Sequence, residues 1–246
     1  MKSIKNTAQW LMIAGPCAAE SLAQIMTTAK TLRKIGVPIL RAGLWKPRTN
    51  PNDWQGVGDI GLKWLAQAKK QTGILTATEV RDSRTLALAI ASGIDYLWIG
   101  SRNAQNYALL EEIGQATAKN QAPVILKRSM SSSLGEWLGG AGYIAKYNPN
   151  IILCERGIRG YSPDTRNILD LQTAYLAKIQ SNYKVIVDVS HAAGRTDLIF
   201  PMSMAVKATG LDGLMIEAHP DPKNAKTDSF QQVDLKEIER IFNAVK

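Results

Sequence analysis

The sequence is poor in cysteine, with only Cys17 and Cys154 among its 246 residues. Two cysteines are too few for a disulfide framework, and such low usage is typical of reducing compartments. No stretch reaches the ~20 apolar residues of a membrane-spanning helix. The short apolar run near the N-terminus leads into Gly15-Pro16 rather than a signal-peptide cleavage site. These absences argue against a disulfide-rich secreted protein and a membrane protein, and they predict a cytoplasmic location.

Long basic runs are also missing, although Lys and Arg outnumber Asp and Glu by 30 to 21 and give a net charge of +9. An excess of this kind favours either nucleic acid or anionic metabolites as the ligand. The longest basic runs are pairs such as Lys69-Lys70 and Lys127-Arg128, and no RNP, zinc-finger or basic-zipper pattern is present. We therefore expect phosphorylated small molecules rather than nucleic acid.

Short runs rich in Val, Ile and Leu alternate with longer segments whose apolar residues recur every three or four positions. That alternation is typical of repeated βα units on a parallel sheet. The predicted strands cover residues 11–15, 38–43, 74–79, 96–100, 123–128, 151–156, 184–190 and 213–218. The predicted helices cover residues 21–36, 59–73, 81–93, 106–120, 132–147, 165–180, 197–210 and 234–246.

Eight strands, each followed by a helix, predict an α/β protein with a (β/α)8 TIM barrel, a fold that typically takes ~250 residues. The runner-up is an open doubly wound sheet, which usually carries a glycine-rich dinucleotide loop that GPCAAES does not match. No linker or repeat divides the chain, so residues 1–246 are predicted to form one catalytic domain. Residues 1–10 are a short N-terminal extension, either a strand or hairpin that closes the bottom of the barrel or a mobile segment.

Polar side chains stand where the predicted strands end, and in this fold the strand ends at the C-terminal face form the active site. They are Cys17, Arg41, Glu79, Arg102, Lys127, Arg156, His191 and Glu217. The loop after the second strand adds Lys46, Arg48 and Thr49. Cations gathered at one mouth repel one another unless anions bind between them, and Arg suits bidentate contacts with phosphate or carboxylate. Two phosphorylated substrates are therefore expected.

A second set of these residues offers metal ligands: Cys17, His191, Glu217 and, after the eighth strand, Asp228. A thiolate, an imidazole and two carboxylates suit Mn²⁺, Fe²⁺, Co²⁺ or Zn²⁺. Cys17 follows Gly-Pro, which disfavours the interior of a strand, whereas Cys154 lies in an apolar run and is expected in the core. His219 is an alternative metal ligand to His191. Glu79 has an alternative role as the carboxylate at the N-terminus of the next helix, where the helix dipole favours negative charge.

The segments AGPCAAES, KPRTN, TEV, IGSRNAQN, ILKRSM, EWL, CERGIR, VDVSHAAGR and IEAHPDP occur in this order along nearly the whole chain. Together with Asp228 they resemble the 3-deoxy-D-arabino-heptulosonate 7-phosphate (DAHP) synthases of the type Iβ group. The resemblance implies a metal-dependent barrel that condenses phosphoenolpyruvate with erythrose 4-phosphate and water to give DAHP and phosphate. That reaction is the first step of the shikimate pathway of aromatic amino acid biosynthesis.

The resemblance also implies residue roles. The implied metal ligands are Cys17, His191, Glu217 and Asp228. Those implied for phosphoenolpyruvate are Arg102 and Arg156 at its phosphate, and Arg41, Lys46 and Lys127 near its carboxylate. Those implied for the phosphate of erythrose 4-phosphate are Arg48 and Thr49. The catalytic candidates are Lys46 as the proton donor to the new hydroxyl, Glu79 as the residue that orients water, and His191.

Alternatives stay open. 3-deoxy-D-manno-octulosonate 8-phosphate synthase uses arabinose 5-phosphate on a similar barrel, but its loop resembles K-A-N-R-S-S, whereas this chain has Lys46-Pro47-Arg48-Thr49. More distant is a non-catalytic barrel that binds nucleic acid or an anionic effector. Family members are usually dimers or tetramers, and many carry a regulatory domain or a fused chorismate mutase. We expect a homo-oligomer that is unregulated, regulated by a partner, or the catalytic piece of a longer, allosterically regulated protein, and we favour the last.

Overall fold

The computed structural model describes residues 10–246, so all but the last residue of the predicted N-terminal extension lies outside the described residues. Eight parallel strands close into a barrel in chain order, and the last strand pairs with the first. The helices cover the outside of this barrel. The structure is a (β/α)8 TIM barrel, which confirms the predicted fold class.

The strands are β1 Leu11–Gly15, β2 Ile39–Arg41, β3 Leu75–Val80, β4 Tyr96–Ile99, β5 Val124–Lys127, β6 Ile151–Glu155, β7 Lys184–Asp188 and β8 Gly213–Glu217. The helices are α1 Leu22–Ile35, α2 Ile60–Thr72, α3 Ser83–Ala91, α4 Tyr107–Thr117, α5 Leu134–Ala145, α6 Leu171–Gln180, α7 Val189–Ala193, α8 Ile199–Ala208 and α9 Leu235–Val245. Short 3₁₀ turns cover Thr196–Leu198 and Pro222–Asn224. Each predicted strand and helix has a counterpart; β1 has the predicted ends, and the ends of the others are shifted.

Two differences from the predicted elements have local causes. The seventh strand ends at Asp188, because this side chain accepts a hydrogen bond from the backbone N–H of His191 and begins the short helix α7. The sixth helix begins at Leu171 rather than at residue 165, because Asp170 caps it. The residues before it form an irregular segment joined by a bridge between Ile158 and Ile168.

Local signals fix many helix ends. Ser21 accepts a hydrogen bond from the backbone of Gln24 and begins α1, and Gly36 ends that helix at a φ of 100°. Asp82 and Thr85 form a capping box at the start of α3. The residue that serves the N-terminus of α3 is therefore Asp82, and the alternative role of Glu79 as that carboxylate was wrong.

Apolar side chains pack on both sides of the sheet. Met12 and Ala14 of β1 face the helices, whereas Ile13 between them belongs to a second cluster that fills the barrel interior. Cys154 lies in this interior cluster as a fully buried free thiol, as expected for a core cysteine. Across residues 10–246, every helix is too short or too polar to cross a bilayer.

Candidate active site

A cavity of about 390 Å³ opens where the strands end. It is lined by all the predicted substrate-binding residues: Arg41, Lys46, Arg48, Thr49, Arg102, Lys127 and Arg156. Glu79, His191 and Asp228 line it as well. Cys17 and Glu217 are fully buried and contact residues of its wall. The structure thus brings the predicted site residues to one mouth of the barrel.

Three of the four predicted metal ligands form a compact group. One donor atom each from Cys17, Glu217 and Asp228 lie within 4.8 Å of one another, and the Cys17 Sγ is 3.3 Å from Oδ2 of Asp228. The pairing of β1 with β8 sets Gly15 opposite Glu217, which brings Cys17 beside that carboxylate. Asp228 reaches the group from a loop residue with a φ of 48°, a left-handed conformation that Asp tolerates better than most residues.

His191, the fourth predicted ligand, adjoins this group through Glu217. Its Nε2 lies 3.5 Å from Oε1 of Glu217, and its Nδ1 lies 2.8 Å from Oδ2 of Asp188. Burial is the largest cause that lowers the pKa of His191, which favours the neutral ring. If Asp188 accepts the Nδ1 proton, the lone pair of Nε2 faces the other donors.

The donor set fits a divalent metal ion. Among the described residues, Oε1 of Glu217 is buried and makes no hydrogen bond, although it lies 3.2 Å from Nη2 of Arg41 and 3.5 Å from Nε2 of His191. Burial and then Glu217 raise the pKa of the Cys17 thiol to about 12. Burial alone would raise the pKa of Asp228, but Arg166 and His191 outweigh it and lower that pKa to about 2. A thiol, an imidazole and ionised carboxylates are ligands of first-row divalent metals.

His219, the competing histidine, lies elsewhere. Its Nδ1 accepts a hydrogen bond from the backbone of Asp221 at 2.9 Å, and its Nε2 is 3.6 Å from Oε1 of Glu20. It is absent from the compact donor group that Cys17 joins, and it does not line the cavity. His219 therefore has a structural role in the loop after β8.

Arg41 combines complete burial with free donors. Its Nη2 is 3.2 Å from Oε1 of Glu217, and its guanidinium lies 4.8 Å from the ring centroid of Trp98. Within the described part of the chain, its Nε and Nη1 have no hydrogen-bond partner. Buried guanidinium donors without partners are costly, so they favour an anion in the adjoining cavity.

Lys127 and Arg156 supply further positive charge. Lys127 pairs with Asp188, and its Nζ lies 5.7 Å from the Trp98 centroid. Burial lowers the pKa of Arg156 from its ordinary value, which reflects the cost of holding a cation there without a bound anion. Burial also opposes ionisation of Asp188, but His191 and Lys127 hold its pKa well below the usual range. Asp188 is thus the fixed anion within the basic cluster.

Lys46 stands between the metal-ligand group and the cavity. Its Nζ is 2.9 Å from Sγ of Cys17 and 3.2 Å from the Cys17 carbonyl oxygen. Burial would lower its pKa, but Cys17 and Glu217 oppose this, and the net effect raises the pKa of Lys46. Lys46 is therefore an ammonium at neutral pH and has protons to donate.

Arg48, Thr49 and Glu79 occupy other parts of the wall. Arg48 donates from Nη2 to Oδ2 of Asp53 at 3.1 Å, and Thr49 is exposed at the rim. Glu79 extends from β3 toward Gly100, where any side chain would collide with its carboxylate. The rim and the deep part of the cavity thus present separate sets of polar groups.

Several cavity residues were not predicted. The set comprises Asp53, Trp98, Met130, Arg159, Arg166 and Asn167, together with Asp188, which contacts Lys127 and His191. Asp188 lay inside the seventh predicted strand, and Trp98 lay inside the fourth. A signal for Asp188 exists: an Asp three residues before His191 matches the spacing of a helix cap. Arg166 lay within a predicted helix, so its approach to the mouth had no sequence signal.

The fold and this mouth define a class: (β/α)8 barrels with a basic cavity beside a compact group of thiol and carboxylate side chains. The chain belongs to the DAHP synthetase I family, whose model matches residues 3–246. It is 39% identical over 236 residues to the phospho-2-dehydro-3-deoxyheptonate aldolase of Thermotoga maritima, covering 96% of this chain and 68% of that protein. It is 31% identical over 231 residues to a 2-dehydro-3-deoxyphosphooctonate aldolase of Enterobacter sp. (strain 638), covering 87% and 78% respectively.

Solved structures agree with this assignment. The crystal structure of the Thermotoga maritima DAHP synthase superposes with a TM-score of 0.92 at 37% identity, covering 99% of this chain and 71% of that chain. A truncated form of 3-deoxy-D-arabino-heptulosonate 7-phosphate synthase from Thermotoga maritima gives a TM-score of 0.88 at 34% identity, covering 99% and 89%. The resemblance to DAHP synthases drawn from the sequence motifs is confirmed.

Proposed function

We propose that this protein is a DAHP synthase, which condenses phosphoenolpyruvate with D-erythrose 4-phosphate and water to give DAHP and phosphate. The reaction would place it at the first step of the shikimate pathway. The observation that carries the proposal is one mouth that holds both a compact group of metal ligands and two separate sets of anion-binding side chains. A reaction between two phosphorylated substrates requires both sets, and family membership supports the choice of substrates.

Phosphoenolpyruvate is assigned to the deep part of the cavity. The free Nε and Nη1 of Arg41 suit its carboxylate, together with Lys46 and Lys127. Its phosphate is assigned to the buried Arg156 and to Arg102, an exposed residue that lines the same cavity. These side chains fix the substrate before the reaction, so that little freedom is lost when the new bond forms.

Erythrose 4-phosphate is assigned to the rim, with its phosphate at Arg48 and Thr49. Arg48 forms an ion pair with Asp53. When the phosphate binds, Arg48 would either leave Asp53 or contact both anions. Its aldehyde would then point inward to the ligand group. The loop sequence Lys46-Pro47-Arg48-Thr49, which differs from the K-A-N-R-S-S of the octulosonate synthases, supports a four-carbon over a five-carbon sugar.

The metal ion would be held by Cys17, His191, Glu217 and Asp228. When bound, a divalent ion such as Mn²⁺, Fe²⁺, Co²⁺ or Zn²⁺ acts as a Lewis acid on the aldehyde oxygen. C3 of phosphoenolpyruvate attacks the aldehyde carbon, and positive charge develops at C2. Water then adds at C2, and the hemiketal loses phosphate by cleavage of the carbon–oxygen bond.

Lys46, Glu79 and His191 have the catalytic assignments. The ammonium of Lys46 donates a proton to the new hydroxyl, since its raised pKa keeps it protonated at neutral pH and its Nζ lies beside Cys17. Glu79 orients the water that adds at C2, since its carboxylate lines the same cavity. His191 is a metal ligand whose ring is oriented by the contact between its Nδ1 and Asp188.

The wider setting is part of the proposal. Residues 1–246 act as one catalytic domain with a short N-terminal extension, in a cytoplasmic homo-oligomer that is a dimer or a tetramer. Feedback control would come from a regulatory domain or from a chorismate mutase, either fused to this barrel or bound to it. Neither nucleic acid nor a membrane is a proposed partner.

The experiment is a substrate-consumption assay on the purified protein. Phosphoenolpyruvate loss is followed with erythrose 4-phosphate or with arabinose 5-phosphate, before chelation, after chelation, and after Mn²⁺ is restored. We expect turnover with the four-carbon sugar, its loss on chelation and its recovery with Mn²⁺. Preference for arabinose 5-phosphate would assign the octulosonate reaction instead, and no turnover with either sugar would overturn the proposal.

A further inference from the structure

Two consecutive glutamines, Gln231 and Gln232, lie in the loop between β8 and α9 and are 0% and 1% exposed. Glutamine is usually an exposed residue, and an amide buried without partners costs free energy. Neither side chain is a metal ligand or lines the cavity. The hydrogen bonds that they make therefore indicate what they do.

Gln231 bridges a cation and a carboxylate. Its Oε1 accepts a hydrogen bond from Nη1 of Arg166 at 2.7 Å, and its Nε2 donates to Oε2 of Glu217. The two ends of an amide differ chemically, so the pair of partners fixes its orientation. Because Oε2 of Glu217 accepts this bond, Oε1 is the oxygen that faces His191, at 3.5 Å from its Nε2, and Arg41, at 3.2 Å from its Nη2.

The same residue constrains Asp228. The backbone N–H of Gln231 donates to the carbonyl oxygen of Asp228 at 3.1 Å and closes the turn in which Asp228 has its positive φ. Nη1 of Arg166, the same nitrogen that donates to Gln231, lies 3.4 Å from Oδ2 of Asp228. Gln231 thus contacts or fixes the surroundings of two ligands at once.

Gln232 holds the third. Its Oε1 accepts a hydrogen bond from the backbone N–H of Cys17 at 2.9 Å, and its Nε2 donates to the carbonyl oxygen of Thr227 at 2.7 Å. The Cys17 loop is thereby tied to the residue before Asp228. The two amides together connect Cys17, Glu217 and Asp228.

We propose that Gln231 is a positioning residue for the metal ion, whose amide holds Glu217 through Nε2 and holds Arg166 beside Asp228 through Oε1. The inference rests on the proposed function, because it presupposes that the ligand group binds a metal. Removal of a side chain that orients a metal ligand typically weakens metal affinity 10- to 100-fold.

The test measures metal binding without turnover. Metal-free wild-type protein and the Gln231→Met variant are titrated with Co²⁺, and the affinity and the absorption bands of the bound ion are recorded. Methionine keeps the volume of glutamine but has no amide, so we expect an affinity about 10- to 100-fold weaker and altered bands. The matched control is Asn148→Leu, which removes a buried amide with three hydrogen bonds from the opposite end of the barrel.

The outcomes separate the two proposals. Wild-type protein that binds no Co²⁺ would overturn the metal site of the proposed function. Wild-type binding together with unchanged affinity and bands in Gln231→Met would overturn the role of Gln231 alone. Circular dichroism of the metal-free proteins checks folding, and if Gln231→Met does not fold, Gln231→Asn takes its place. The asparagine side chain is too short to reach both Arg166 and Glu217, so Gln231→Asn should also weaken Co²⁺ binding. Co²⁺ affinity equal to that of the wild type in Gln231→Asn would overturn the proposal.

Discussion

The carboxylate of Asp188 accepts from Nδ1 of His191 across 2.8 Å, and the same carboxylate is the fully buried counter-charge of Lys127. Asp188 therefore links the proposed metal site to the proposed phosphoenolpyruvate site. Its two tasks, holding the ring of His191 and neutralising a buried cation, depend on its negative charge. A neutral side chain of the same shape separates charge from packing.

We expect Asp188→Asn to lower both stability and activity. Removing one partner of a buried ion pair leaves an uncompensated charge, so the free energy of unfolding should fall by about 3 kcal/mol. Urea unfolding of the metal-free protein measures this loss, and the substrate assay measures activity. Asp197→Asn, which breaks the exposed pair with Arg195, is the control and should leave the unfolding curve nearly unchanged. Equal unfolding curves for Asp188→Asn and wild type would contradict the assigned role.

Arg156 and Arg48 should affect different substrates. Loss of a charge-assisted hydrogen bond costs about 1.5–3 kcal/mol, so Arg156→Ala should raise KM for phosphoenolpyruvate about tenfold or more. Arg48→Ala should raise KM for erythrose 4-phosphate and leave that for phosphoenolpyruvate nearly unchanged. Steady-state kinetics with each substrate varied in turn gives both values. Arg195→Ala, an exposed arginine outside the cavity, serves as the control, and the assignment fails if Arg48→Ala impairs both substrates equally.

Trp98 should report phosphoenolpyruvate binding. It is one of six tryptophans, and its ring lies against Arg41 and near Lys127 at the cavity wall. An anion that engages those cations changes the field at the indole, so we expect phosphoenolpyruvate to change the protein fluorescence. Trp98→Phe should remove most of that fluorescence change. It should also raise KM for phosphoenolpyruvate about fivefold, since a buried cation–π contact contributes about 1 kcal/mol. A full fluorescence response in Trp98→Phe would rule this out.

Asp228 should stabilise the metal-free protein in a defined pH range. Its folded pKa of about 2 lies below the unfolded value of about 3.9. A carboxyl with a depressed folded pKa adds stability above its unfolded pKa, and this is lost as pH falls toward 2. We expect Asp228→Asn to lower the free energy of unfolding by about 2 kcal/mol near neutral pH and by almost nothing near pH 2. Urea unfolding across this range tests it, and a pH-independent difference would refute the assignment.

The elements of the fold were predictable from the spacing of apolar residues along the chain. Ile13, flanked by Met12 and Ala14, shows a buried strand, and α1 between Ser21 and Gly36 has both its apolar spacing and its caps written locally. Such signals depend on neighbours a few positions apart, so the eight strands and every helix except the short α7 were recognisable. The ends shifted where a side chain chose a different partner, as Asp170 did at α6.

The candidate site was predicted where a rule connects sequence to place. Strand ends of a barrel face one mouth, so Arg41, Lys127 and His191 could be named as cavity residues before their contacts were known. The rule does not say which way a buried amide points or which histidine meets the ligands. Gln231 and Asp188 were therefore missed, and only the family resemblance separated His191 from His219.

The sequence by itself determined the barrel, its order of strands and the charged character of its mouth, because hydrophobic period, caps and strand ends are local properties. Only the tertiary structure decided that the Cys17 thiol meets a carboxylate 211 residues away. Closure of β1 against β8 joins the two ends of the chain, and a contact made by closure leaves no mark in local spacing. The same closure brings Gln231 to Glu217 and leaves Arg41 with donors that have no partner in the described chain.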